Sequence, residues 1–329
     1  MIETDLLITG AGPAGLFACY YAGLRGLHVT LVDSLPHLGG QTAALYPEKN
    51  IYDVAGFPAI RGRELIDRLT EQASTADTTI LLNQEATTLE DQPDGSLIMT
   101  TATGTRIHAG AVLVTAGIGR FSPRPLPALD GFTGHGVEYV VGSPELYAND
   151  HVIVVGGGDS AVDWANSLVS HARSVTVVHR RNRFRAHESA LAQLSATSAR
   201  MIINSEIAQV HGNGFLRAVT VRDCVDDTTE QLDATVLIPA LGHIAALGPL
   251  TQWGLRMTDK QIEVDTTMAT SRSRVFAAGD ITTYPGKVQL IAVGFGEAAT
   301  AVNNIAVTLR PGEALFPGHS TEMPPQHVA

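Results

Sequence analysis

A short glycine-rich segment near the start of the chain has the residue types that a phosphate-binding turn needs. Its members are Gly10, Gly12, Pro13, Ala14 and Gly15. Glycines permit a tight turn and let a pyrophosphate reach backbone N–H groups at the positive end of a helix. Asp33 follows at the spacing of an acid that accepts hydrogen bonds from ribose hydroxyls. Together they predict a site for a dinucleotide with an unphosphorylated adenosine ribose, as in FAD.

A second glycine-rich turn lies in the middle of the chain. It differs from the first because no acid follows its second strand at the position that corresponds to Asp33. The loop residues are Gly156, Gly157, Gly158, Asp159, Ser160 and Ala161. Basic residues follow the next strand, namely His179, Arg180, Arg181, Arg183 and Arg185. A carboxylate would repel a 2′-phosphate, whereas arginines bind it through charge-assisted, often bidentate hydrogen bonds. This loop therefore predicts a site that selects NADPH over NADH.

Each glycine turn must be positioned by a buried strand and a helix, and the sequence supplies both. Residues 4–9 and 151–155 are apolar runs of strand length, and each continues through its turn into a helical pattern and a second strand. Further apolar strands run into Gly117 and Gly242 and close the two units. This duplication predicts an α/β fold with two Rossmann-like, three-layer ββα dinucleotide-binding domains.

The second domain is expected to interrupt the first. Residues 121–127 are proline-rich and typical of a linker, and the return crossing is expected near residues 242–248. A buried strand at 274–280 and a helix at 295–309 then complete the first domain. The predicted FAD domain is 1–117 with 245–329, and the predicted NADPH domain is 118–244.

Composition narrows the class of function. The formal net charge of −11 argues against nucleic acid, which binds clustered Lys and Arg. No apolar run is long enough to span a membrane and the first residues lack a secretory pattern, so we expect a cytoplasmic protein. Cys19 and Cys224 lack paired-ligand spacing, which excludes an in-chain iron–sulfur cluster or a zinc ribbon.

Several longer strings carry a family resemblance over nearly the whole chain. They lie at residues 35–41, 44–49, 156–165, 179–186, 278–281, 284–287 and 294–299. In these strings the chain resembles the thioredoxin-reductase-like class of ferredoxin–NADP reductases. One departure is Asp33, where relatives often carry Glu, which shortens the reach without changing the chemistry. Another is the long tail at 322–329, which follows the family's tail histidine.

The resemblance implies roles for individual residues and a homodimer. Gln41 would contact the flavin, Tyr46 would stack on one of its faces, and the tail residue His319 would cover the other. Asp280 would bond the ribityl chain, and the helix that follows would aim its N-terminus at the flavin. The other FAD-contacting positions are Gly40, Ala86, Phe121, Gly279 and Thr321.

The electron acceptor is predicted from a missing pair of cysteines. Thioredoxin reductases share this fold and carry a redox Cys-x-x-Cys shortly before the second nucleotide loop. The matching residues here are Val140, Val141, Gly142 and Ser143, which cannot form a disulfide. Electrons must then leave directly from the flavin, which accepts two at once and releases them singly. We therefore expect ferredoxin or flavodoxin as a transient partner.

Two other functions compete with this prediction. The enzyme could reduce a quinone or another two-electron acceptor, and ferredoxin-dependent cytochrome c reduction would separate these cases. A non-enzymatic redox sensor would bind both nucleotides without steady turnover. The intact pair of nucleotide sites disfavours the sensor.

Overall fold

The computed structural model describes residues 1–319 and 321. The chain forms two compact units: the first contains Met1–Arg120 and resumes at Ala245, and the second is Phe121–Ile244. The second unit therefore interrupts the first. The changes of unit fall after residues 120 and 244, and the sequence placed them after residues 117 and 244.

The segment before the first crossing holds eight strands and three helices. The strands are β1 (Ile2–Thr9), β2 (Val29–Val32), β3 (Asn50–Ile51), β4 (Ile60–Arg61), β5 (Thr78–Leu81), β6 (Ala86–Asp91), β7 (Leu97–Thr101) and β8 (Arg106–Val114). The helices are α1 (Pro13–Leu24), α2 (Gly40–Leu45) and α3 (Gly62–Ala73).

The chain leaves this segment through β9 (Arg120–Pro123) and returns through β17 (His243–Ala246). Between them lie β10 (His151–Val155), α4 (Asp159–Leu168), β11 (Ser174–Val178), α5 (Glu188–Ser195), β12 (Arg200–Ile202), β13 (Ser205–Gly212), β14 (Leu216–Asp223), β15 (Thr229–Asp233) and β16 (Val236–Pro239). The return segment adds β18 (Met257–Thr258), β19 (Gln261–Glu263), β20 (Val275–Ala277), β21 (Thr282–Thr283) and α6 (Ile291–Leu309).

The main sheet of the first unit aligns the ends of four parallel strands. Its order is β5-β2-β1-β8-β7-β6, and β20 also pairs with β8. Thr9 at the end of β1 lies opposite both Val32 and Val114, and Ala277 at the end of β20 also lies opposite Val114. The turns that follow β1, β2, β8 and β20 therefore begin at one edge of the sheet.

Both faces of this sheet are covered, which explains the unbroken apolar run of β1. Leu6 and Ile8 pack into a core with α1, α3 and α6, whereas Leu7 packs into a second core on the other face with Leu97 and Trp253. A parallel strand that is buried on both faces has no position for a polar side chain.

The second unit repeats this layered plan. Its parallel sheet has the order β12-β11-β10-β16, and β13, β14 and β15 form an antiparallel sheet. Val154 of β10 packs into the core shared with α4, whereas Ile153 packs with Val219 of the antiparallel sheet. The predicted α/β fold with two three-layer, Rossmann-like domains is confirmed.

Two local features differ from the sequence prediction. Helix α6 begins at Ile291 rather than at residue 295, although Gly294 and Gly296 disfavour a helix in isolation. Gly294 packs closely there, because a Cβ on it would lie in van der Waals contact with the Cα of Gly279, at 3.4 Å. The expected proline-rich linker is in part the strand β9, which pairs with β17.

Among the described residues, no helix combines the length and apolar character that a bilayer crossing requires.

Candidate functional site

The first glycine turn leads directly from β1 into α1. Gly10 has a φ of +112°, and a Cβ on it would lie 2.5 Å from the backbone oxygen of Thr115. A Cβ on Gly15 would overlap the backbone oxygen of Gly10, so this glycine permits the close approach of helix and strand.

Gly12 differs from its neighbours, because a Cβ on it would meet nothing within 4 Å. No side chain caps α1 at Gly12, and Pro13 starts the helix. The space beside Gly12 at the positive end of α1 is therefore open, and no side chain competes for the first N–H groups of the helix, which suits a pyrophosphate.

Asp33 lies at the end of β2 beside this turn and is almost fully buried. One carboxylate oxygen accepts a hydrogen bond from the Ala11 backbone N at 2.6 Å, and the other accepts one from the Leu35 N at 2.8 Å. Burial raises the pKa of Asp33, and these hydrogen bonds oppose that shift. Each oxygen keeps a second acceptor position for a ribose hydroxyl.

Helix α2 brings three predicted residues to the same edge of the sheet. A Cβ on Gly40 would lie 3.0 Å from the Cα of Gly12, so the two turns touch. The amide nitrogen of Gln41 lies 2.7 Å from the position that a Cβ on Gly117 would take. The hydroxyl of Tyr46 is hydrogen-bonded to the Thr42 hydroxyl at 3.2 Å, and burial raises the Tyr46 pKa.

The turn after β20 completes this cluster. Gly279 has a φ of +83°, and a Cβ on it would lie 3.3 Å from the Cβ of Ala14 in the first glycine turn. The half-buried carboxylate of Asp280 has no hydrogen-bond partner among the residues that the structure describes. Burial raises its pKa, Lys287 lowers it, and Glu297 raises it further.

The remaining predicted FAD contacts are more scattered. Ala86 starts β6 and is half-buried, whereas Phe121 begins the second unit and packs edge-on against the ring of His243 at 5.9 Å. His319 is exposed and its ring packs against Phe316 at 5.2 Å. Thr321 is exposed. The tail at 322–329 lies outside the described residues.

The second glycine turn has the same construction in the second unit. A Cβ on Gly156 would collide with the backbone oxygen of Ala240 and lie 3.1 Å from the Cβ of Ala161. Gly158 has only open space where a Cβ would stand, and no side chain caps α4 there. Asp159 accepts a hydrogen bond from the His187 backbone N at 2.9 Å, and Ser160 is exposed.

The basic segment after β11 contains one buried histidine and four exposed arginines. His179 is buried against Gly157, is hydrogen-bonded to the Arg183 backbone oxygen at 3.1 Å and contacts the Phe184 ring. The exposed guanidinium groups belong to Arg180, Arg181, Arg183 and Arg185. Within residues 1–319 and 321, none of the four has an ion-pair partner. Four unneutralised cations beside an open helix N-terminus suit a phosphorylated ribose.

Sequence reasoning gave no role to two residues that the structure places at the first site. Lys287 and Glu297 form a buried ion pair beside Gly279. The signal in the sequence was a single acid inside the otherwise uncharged helix α6.

Comparison with known proteins identifies the family of this chain. The family model of the pyridine nucleotide-disulphide oxidoreductases matches residues 4–303. A thioredoxin reductase structure from T. acidophilum superimposes with a TM-score of 0.75 at 24% identity, covering 93% of this chain and 98% of that one. The chain therefore belongs to the pyridine nucleotide-disulphide oxidoreductases, and it has their fold.

Curated relatives narrow this assignment. A ferredoxin–NADP reductase of Nocardioides sp. is 54% identical over 98% of both chains. Another, from Salinispora arenicola, is 53% identical over 98% of this chain and 99% of that one. Within its family the chain is a member of the ferredoxin–NADP reductases of the thioredoxin-reductase-like class, which confirms the resemblance seen in the sequence. FAD and NADP(H) are its cofactors.

Proposed function

We propose that this protein catalyses reversible hydride transfer between NADPH and FAD and exchanges single electrons with ferredoxin or flavodoxin. The observation that carries the proposal is the absence of a cysteine pair in a fold that elsewhere uses one. The sequence has 2 cysteines, and Cys19 is buried in the first unit whereas Cys224 is exposed in the second. Val140 to Ser143 occupy the stretch where a dithiol is expected.

Neither cysteine suits a role as an electron relay. Burial raises the pKa of Cys19 to about 12, so its thiol stays protonated at neutral pH. The pKa of the exposed Cys224 is also raised, mainly by desolvation and then by Glu206. The chain must therefore pass electrons without thiol chemistry.

The first unit is proposed to hold FAD. When bound, FAD supplies the conversion between a two-electron donor and a one-electron acceptor. The open N-terminus of α1 at Gly12 binds the pyrophosphate, Asp33 accepts hydrogen bonds from the ribose, and Asp280 accepts one from the ribityl chain. Tyr46 shields one flavin face from water, and Gln41 holds the flavin edge.

The second unit is proposed to hold NADPH. Gly158 leaves room for the pyrophosphate at the N-terminus of α4, and Arg180 and Arg181 bind the 2′-phosphate. The tail residue His319 covers the second flavin face and moves aside when the nicotinamide approaches, because both faces cannot stay covered during hydride transfer. A homodimer and a cytoplasmic location belong to the same proposal.

The proposal is tested by following the flavin and the acceptor separately. NADPH should bleach the flavin of the purified protein, and added ferredoxin should restore its colour. Cytochrome c reduction by NADPH should depend on ferredoxin and should persist in the variant Cys19→Ala/Cys224→Ser. Rapid turnover with menadione but none with ferredoxin or flavodoxin would favour a quinone reductase instead.

A further inference from the structure

A buried ion pair lies behind the turn that carries Asp280. Lys287 Nζ and Glu297 Oε1 are 2.5 Å apart, and their side chains are only 6% and 4% exposed. The Tyr284 hydroxyl donates a second hydrogen bond to the same Glu297 oxygen at 2.6 Å. Removing two charges from water often costs more free energy than their attraction returns, so stability alone is a weak reason for such a pair.

The two side chains hold the backbone of one residue, Gly279, on both sides of its Cα. Glu297 Oε2 accepts a hydrogen bond from the Gly279 backbone N at 2.7 Å, and Lys287 Nζ donates one to the Gly279 backbone oxygen at 3.1 Å. Gly279 also packs against Ala14 of the first glycine turn. The ion pair therefore fixes the turn that presents Asp280 beside the first nucleotide loop.

The pair also places opposite charges close to Asp280. Lys287 lowers the pKa of the Asp280 carboxyl, and Glu297 raises it, so their electrostatic effects oppose each other. Loss of either partner would leave one uncompensated charge in a poorly solvated place, where its field is weakly screened.

We propose that Lys287 and Glu297 are positioning residues for FAD: they clamp the Gly279 backbone so that Asp280 meets the cofactor, and their paired charges keep the reduction potential of the cofactor unbiased. This inference rests on the proposed FAD site of the first unit. Reduction adds negative charge to the cofactor, so a nearby unpaired anion lowers the midpoint potential and a nearby unpaired cation raises it.

The test uses the charge-altering variants Lys287→Met and Glu297→Gln. The midpoint potential of bound FAD should fall in Lys287→Met, which leaves the Glu297 carboxylate without its cation. It should rise in Glu297→Gln, which leaves the Lys287 ammonium group without its anion. Both are compared with the wild-type holoenzyme at the same pH. Each variant should also release FAD more readily, by about tenfold in dissociation constant for a lost charged hydrogen bond.

Three further variants serve as controls. The double variant Lys287→Met/Glu297→Gln should release FAD readily yet keep a potential close to the wild-type value, because no charge is left unpaired. Lys287→Arg should restore much of the affinity. Lys260→Met removes an exposed lysine of the same unit and should change neither quantity.

The inference would be overturned if the midpoint potential of FAD shifted in the same direction in both single variants. It would also be overturned if neither the midpoint potential nor the FAD affinity changed. If a single variant does not fold, as judged by thermal unfolding, the FAD affinities of the double variant and of Lys287→Arg test the positioning role instead. These readouts need no electron acceptor. A failed ferredoxin assay would therefore count against the proposed function and leave this inference standing.

Discussion

Gly12 and Gly15 lie in the same turn, yet an added methyl group would meet different surroundings at each. Gly12→Ala adds a Cβ into open space, so the apoprotein should lose less than about 1 kcal/mol of unfolding free energy. FAD binding should fall sharply, because the methyl group occupies the place of the pyrophosphate. Gly15→Ala should destabilise the apoprotein itself, since its Cβ overlaps the Gly10 oxygen.

Thermal unfolding of the apoproteins and FAD titration measure the two effects. A Gly12→Ala variant that binds FAD normally would remove the pyrophosphate from this turn. Gly158→Ala provides the parallel case for NADPH, because its Cβ also meets nothing within 4 Å.

Arg180 and Arg181 are expected to recognise the 2′-phosphate, since both are exposed and lack ion-pair partners among the described residues. The variant Arg180→Ala/Arg181→Ala should raise the KM for NADPH about tenfold or more, because each charged hydrogen bond contributes roughly 1.5–3 kcal/mol. The KM for NADH should barely change. Arg173→Ala, which removes another exposed arginine of the same unit, is the matched control. Equal losses with both nucleotides would contradict the assignment.

At the scale of elements, the strands around each glycine turn could be predicted because a parallel strand buried on both faces leaves an unbroken apolar run. The start of α6 could not be predicted, since Gly294 disfavours a helix locally and its close packing against Gly279 depends on the tertiary structure. The pairing of Lys287 with Glu297 was equally hidden. It depends on how α6 packs against β20, and the residues give no local pattern for that packing.

His319 of the tail and Tyr46 at the end of α2 are predicted to cover opposite faces of the flavin. The tail is predicted to be the more mobile of the two. Arg25 holds the start of the tail through hydrogen bonds to the backbone oxygens of Ala314 and Leu315, at 3.0 and 2.9 Å. Truncation after Gly318 should therefore leave this anchor and FAD in place, although loss of Thr321 should weaken FAD binding. The rate of flavin reduction by NADPH, measured by stopped flow, should change.

Tyr46→Ala should instead weaken FAD binding by about 1 kcal/mol, because the half-buried ring would lose its stacking contact. Tyr52→Ala is the control, since this nearby tyrosine is 71% exposed. A truncated enzyme that reduces its flavin at the wild-type rate, together with an unchanged FAD dissociation constant in Tyr46→Ala, would contradict both roles.

For the whole molecule we predict a homodimer. Leu315 and Phe316 precede His319 and are 52% and 60% exposed, so two neighbouring large apolar side chains face solvent. A second copy would cover them and shield the flavin edge. Sedimentation at micromolar concentration should give about twice the chain mass of 34.8 kDa. An active protein that sediments only as a monomer would refute the prediction.

The chain leaves the first unit through β9 and returns through β17, and these two strands pair with each other. Their pairing has a consequence for how the protein can be engineered. A Cβ on Gly119 would lie 2.6 Å from the backbone oxygen of Ala246, so the chain departs from the first unit and re-enters it at neighbouring points. Replacing residues 122–244 with a short glycine turn keeps the predicted FAD contact Phe121. It should leave a yellow protein that retains FAD, cannot be bleached by NADPH and still accepts electrons from dithionite. Failure of this deletion variant to fold would show that the first unit needs its insert. Success would show that the inserted unit can be separated from the first. An enzyme of this architecture could then exchange one nicotinamide donor for another by replacement of that unit, without alteration of its flavin chemistry.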